Sequence, residues 1–132
     1  TVVSLDDIYS QDVDVYSPCA LGASINDNTI SQLKASIIAG CANNQLAEPR
    51  HDQILKDKSI LYVPDFVINA GGIINVALEI YPEPYSAEHA TKLVEGIYDT
   101  LMNVFVKAKE EDKPTGVVAD EMARAIIATG RK

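Results

Sequence analysis

The chain has 132 residues, 47% of them hydrophobic, enough for one core of ordinary size and too few for two full domains. Its 11 Lys and Arg stand against 19 Asp and Glu, a formal charge of −8 with no basic patch, which speaks against nucleic acid or an anionic membrane as partner. No apolar run is long enough to span a bilayer, the N-terminus lacks a signal-peptide layout, and Cys19 and Cys41 make neither a disulfide framework nor a zinc motif. These features predict a cytoplasmic protein with reduced thiols and no metal.

Residues 1–3 read as the tail of a strand, and Ser4 to Ile8 as a capped turn or short helix. Val13, Val15 and Tyr16 predict a strand over 12–16 that stops before Pro18, which cannot donate to a ladder. Asn26 or Asp27 is placed to cap a short helix carrying Ile30 and Leu33, and residues 36–39 read as a second strand closed by Gly40. Pro49 opens a helix with Ile54 and Leu55, and residues 60–63 form a third apolar, β-branched strand. Ile73, Ile74, Val76, Ala77 and Ile80 share one helical stripe. Leu93, Ile97, Leu101, Val104 and Ala108 step by four, four, three and four, the mark of one long amphipathic helix. The charged run 107–113 reads as its solvated last turn and loop, Pro114 stops it, and Val118, Met122, Ala125 and Ile126 predict a final helix.

Strands alternating with helical patterns over short connections imply a parallel sheet, whose ligands bind beyond the carboxyl ends of the strands. Three loops fall there: residues 18–22, 40–45 and 69–72. All are small, amide-rich and without His, Asp, Glu or Lys. They suit a neutral polar group and supply no general acid or base, so no catalytic side chain is expected among them. Gly71-Gly72 strips the backbone bare between strand and helix. It serves either close approach of a ligand or tight packing of the two elements, and the pattern favours neither. His51 and His89 lie away from these loops and read as surface histidines. Cys19 and Cys41, each just past a strand, read as small residues lining a shared crevice. No G-x-G-x-x-G turn and no P-loop occurs.

The loops also carry a family likeness. DVYSPCALG at 14–22, IIAGCANNQL at 37–46, EPRH at 48–51 and YVPDFVINAGGIINVALEIY at 62–81 resemble the glutamate, leucine, phenylalanine and valine dehydrogenase superfamily, and within it the leucine dehydrogenases. The likeness covers essentially the whole chain but only the C-terminal part of such an enzyme. It implies an α/β fold: the second half of a Rossmann-type, doubly wound parallel sheet of about three strands in residues 1–84, followed by long C-terminal helices in 85–132. It also implies NAD-dependent oxidative deamination of an L-amino acid to its 2-oxo acid and ammonia. On matching positions, Pro18, Cys19 and Ala20 would line the nicotinamide-ribose side of the cleft, and Asn43 and Asn44 would hold the carboxamide or the substrate carboxylate. Ile73 and Val76 would shape the substrate side-chain pocket, with Asn69 to Gly72 as the adjoining wall. Two aliphatic residues there accept Leu, Val or Ile and offer nothing to a second carboxylate. Ordinary core packing explains Ile73 and Val76 equally well.

Two functions follow as alternatives: part of a branched-chain amino-acid dehydrogenase, or a non-catalytic stand-alone chain, either a nucleotide-binding-like scaffold or a partner that completes the site of another subunit. In the strand order of a doubly wound sheet the strand at 12–16 adjoins one not contained here, so its bare edge predicts homo-oligomerisation or association with a chain that supplies the missing strands.

Overall fold

In the computed structural model, which describes residues 1–80 and 84–130, the three apolar runs pair as a parallel sheet in the order β1 (Val15–Tyr16), β2 (Ile37–Ile38), β3 (Leu61–Tyr62). Val15 lies opposite Ile37 and Ile37 opposite Leu61, so β2 is central as the sequence predicts. Each ladder is shorter than its apolar run. Around the sheet stand α1 (Arg50–Asp57), α2 (Asp65–Ile68), α3 (Gly71–Ile80), α4 (Ala87–Glu111) and α5 (Thr115–Ala128).

The core has two parts. Ile25, Ile30, Leu33, Ile38, Leu55, Ile60 and Tyr62 bury against the sheet, where Tyr9 and Tyr16 join them with ring centroids 5.7 Å apart. Val104, Ala108, Val118 and Ala119 lock α4 to α5, and Val67 of α2 packs onto them. α4 forms where the four-three stepping places it, its first turn capped by the Ser86 hydroxyl, which accepts from the His89 N–H at 3.2 Å. It ends at Asp112 in the left-handed region, with φ of 51°. The charged run beyond is pinned rather than free: Lys113 bridges Glu111 and Glu121, and Lys56 reaches Asp112.

Three expectations are corrected. Residues 26–33 form turns, not a helix. Asn26 Oδ1 does accept from the N–H groups of Asn28 and Thr29, but Thr29 Oγ1 donates to the Ser24 carbonyl and closes the turn locally. Ile30 and Leu33 are buried all the same. Residues 1–3, a strand tail without its neighbouring strands in this stretch, join no strand, in keeping with that reading, and Val2 is fully exposed. β3 is followed at once by α2, so Asn69 to Gly72 joins two helices instead of a strand and a helix. His51 is not a surface residue: it is 1% exposed, its Nδ1 accepting from the Glu48 N–H and its Nε2 facing Asp27 at 3.1 Å. Arg50 beside Asp27, with His51 behind it, holds that carboxyl below the usual range. His89 is exposed, as read. Tyr81, the last residue of the quoted motif, lies outside the described residues.

Candidate functional site

The loops after β1 and β2 are fused by their small residues. An added Cβ on Gly40 would lie 2.2 Å from the Pro18 carbonyl oxygen, and one on Gly22 would lie 2.9 Å from that of Asn43. Only glycine permits either approach. Ala42 N–H donates to Pro18 O at 3.0 Å and Ala23 N–H to Asn44 O at 2.7 Å, while Asn44 turns the chain through φ of 52°. Beneath the loop, buried Gln45 donates its side-chain amide to the carbonyls of Gly40 and Ala42.

The loop is then tied to α2. Asp65 opens that helix where an anionic side chain meets the positive end of the dipole, and its Oδ2 accepts the Gln45 backbone N–H at 2.7 Å. One turn on, Asn69 Nδ2 donates to Asn43 Oδ1 at 2.6 Å and to the Cys41 carbonyl at 3.3 Å. The result is an open recess of roughly 510 Å³ at the carboxyl ends of the strands, lined by Asn43, Asn44, Asp65, Phe66, Asn69, Ala70 and Ile73.

Four of the residues singled out from the sequence thus converge: Asn43, Asn44, Asn69 and Ile73. Pro18 lies buried beneath, as the surface on which Gly40 rests, and Cys19 and Ala20 are exposed on the neighbouring loop. Gly72 and Val76 lie outside the recess lining on an exposed stretch of α3, where Ile73 is 73% and Val76 53% exposed. Within this stretch nothing buries these two aliphatic residues, and the glycine pair meets little: a Cβ on Gly72 would have nothing within 4 Å, and one on Gly71 only the Val94 methyls at 3.8 Å.

The recess does contain an acid, which reading the loops alone missed. Asp65 sits one residue past the Pro64 that ends the third apolar run, and Pro-Asp after a strand is a helix-start signal. Its Oδ2 holds the Gln45 backbone N–H and so positions the loop. Asp52 was missed too. Buried on α1, it accepts from the N–H groups of Gly116 and Val117 at 2.9 and 3.3 Å, capping α5 from another element, and burial pushes its carboxyl up against the pull of those two bonds.

A family model described as Glutamate/Leucine/Phenylalanine/Valine dehydrogenase matches residues 1–130. Leucine dehydrogenase of Geobacillus stearothermophilus is 54% identical over 130 residues, 98% of this chain and 35% of that protein. L-Tryptophan dehydrogenase of Nostoc punctiforme is 50% identical over 133 residues, 100% of this chain and 37% of that one. A crystal structure of L-tryptophan dehydrogenase from Nostoc punctiforme superposes with a TM-score of 0.91 at 52% identity, over 98% of this chain and 39% of the other. The chain therefore spans little more than a third of the length of the curated relatives it matches.

Proposed function

Because this chain belongs to the glutamate, leucine, phenylalanine and valine dehydrogenase family, we propose that it is the nicotinamide- and side-chain-binding portion of an NAD-dependent L-amino-acid dehydrogenase of the branched-chain type. The observation that carries the reading is the braced amide. Asn69 donates to Asn43 Oδ1 and so orients the Asn43 amide, whose free N–H₂ suits an acceptor oxygen such as that of a carboxamide or a carboxylate. The recess suits the nicotinamide end of the cofactor, since its lining is amide and apolar apart from a carboxylate already bonded. Asn43 and Asn44 would hold that end, with Cys19 and Ala20 on the flanking loop. The cofactor would supply the hydride acceptor. This chain's residues would orient its ring and present α3 to the substrate, residues 1–84 forming the sheet half and 85–132 the helices behind it.

Overall identity does not choose between leucine and tryptophan, at 54% against 50%. The aliphatic character of Ile73 and Val76, one helical turn apart and exposed, supports a branched aliphatic side chain, and a second carboxylate would find no partner there, which speaks against glutamate. The bare side of β1, where Val13 and Val15 are exposed, would take the missing strands from the same polypeptide or from another copy.

The test is a graft of residues 1–132 into the matched stretch of Geobacillus stearothermophilus leucine dehydrogenase. NADH should form with L-leucine or L-valine in preference to L-tryptophan and L-glutamate, and Asn43→Ala in the graft should cut kcat/KM about tenfold or more. A folded graft inactive on every amino acid defeats the proposal. The 132-residue chain alone should form no NADH; turnover by it would show that the remaining two thirds of the relatives' length is dispensable.

A further inference from the structure

β1 and β2 run parallel with Tyr16 opposite Ile38, and Cys19 and Cys41 each lie three residues beyond that pair. The two exits do not splay. Ala42 N–H donates to the Pro18 carbonyl at 3.0 Å, and Gly40 lies so close to Pro18 that no Cβ fits between them. The two cysteines are thereby held on neighbouring segments in matching register, both as free thiols and both exposed. We propose that Cys19 and Cys41 are a modification site, closing to a reversible intramolecular disulfide on reaction with a hydroperoxide. Neighbouring strands run about 4.8 Å apart and disulfides join Cα atoms about 4.4–6.8 Å apart, a range that segments held this close, with Cys41 beside the Cys19 sulfur, can reach.

The chemistry around the sulfurs divides the roles. The neighbouring Cys41 backbone N–H, and the Ser17 hydroxyl 3.3 Å from the Cys19 sulfur, hold that thiol below its ordinary value. The Cys19 side chain in turn raises Cys41. Cys19 is then the attacking thiolate. Its sulfur forms a bond to one peroxide oxygen as the O–O bond breaks, and the departing oxygen leaves as water or alcohol with a proton from solvent, giving a sulfenic acid. The Cys41 sulfur attacks the Cys19 sulfur, the S–O bond breaks, and a second water leaves with the Cys41 proton. With hydrogen peroxide, two thiols are oxidised and one peroxide is reduced to two waters. Dithiol reductants reverse the bond. Asn69 holds both the Cys41 carbonyl and Asn43 Oδ1, so the modification falls on the segment that presents Asn43.

This inference is read on the 132-residue chain and does not depend on the dehydrogenase proposal. The reduced chain, kept dilute, is treated with equimolar hydrogen peroxide, alkylated under denaturing conditions and weighed intact. The expected product is two hydrogen masses lighter, takes up no alkyl label, yields one cross-linked peptide containing Cys19 and Cys41, and reverts with dithiothreitol. Cys41→Ser should halt at a dimedone-reactive sulfenic acid on Cys19, and Cys19→Ser should leave Cys41 reduced over the same interval. Added oxygen on either sulfur of the unsubstituted chain without a cross-link, or disulfides joining only separate chains, would overturn it.

Discussion

The two walls of the recess are built to different standards. On the strand side the groups are braced: Gly40 against Pro18, Gln45 into the loop carbonyls, Asp65 onto the Gln45 N–H, Asn69 onto Asn43. On the α3 side the recess has Ile73, which is largely exposed, as are Val76 and Ile80 farther along the helix. The difference shows which part of recognition this stretch carries alone. Polar readout through oriented amides is preorganised here, whereas an apolar pocket needs a second wall to exclude water, and the described residues supply only one.

Substitutions on the two walls should therefore behave oppositely, in stability on one side and in substrate choice on the other. The largest stability loss is expected from Gly40→Ala. The new Cβ would fall 2.2 Å from backbone oxygen, which cannot yield as a flexible side chain would, and denaturant unfolding should show a loss of about 3 kcal/mol. Asp65→Ala should cost about 2 kcal/mol by the same measurement, because it leaves the buried Gln45 N–H without an acceptor. A smaller effect belongs to pH. Burial raises the Asp52 carboxyl in the folded chain, so between the unfolded value near 4 and the higher folded one the native state holds the extra proton. Stability should thus fall as pH rises through that window, and Asp52→Asn should flatten this part of the pH–stability curve. Smallest in stability should be Ile73→Ala, under about 0.5 kcal/mol, since most of that side chain already meets water. In the active graft, by contrast, Ile73→Ala should shift preference towards bulkier amino acids and Val76→Phe should reject leucine. Equal stability losses on both walls, or unchanged substrate ranking, would erase the distinction.

The same contrast runs through what the sequence makes legible. Period and punctuation located the strands in order and placed α4 and α5, because those elements are specified by residues near one another in the chain. The turn at 26–33 defeated the rule. Asn26 supplies a cap signal, yet Thr29 and Ser24 satisfy the backbone locally and no helix propagates. His51 and Asp65 look like ordinary polar residues of helix starts until folding brings Asp27 and Gln45 to them from 24 and 20 positions away. The convergence of Asn43 with Asn69 spans 26 positions and is likewise invisible to any local pattern. The family motifs pointed to both residues, and the coordinates add that one orients the other.

The cap that Asp52 places on α5 has a kinetic consequence. Pro114, at the head of that helix, has no side chain that can accept a hydrogen bond. The N–H groups of Gly116 and Val117 are instead satisfied across 64 and 65 residues, and the Thr115 hydroxyl donates to the Tyr62 carbonyl across 53. Contacts of such sequence separation carry a larger loop-closure cost than the local packing of α5 on α4. α5 should accordingly be the last helix to dock against the sheet during folding and the first to fray, its amides exchanging with solvent through an opening that leaves those of β2 and β3 protected. A residue of α1 thus sets the moment at which the end of the chain becomes structured.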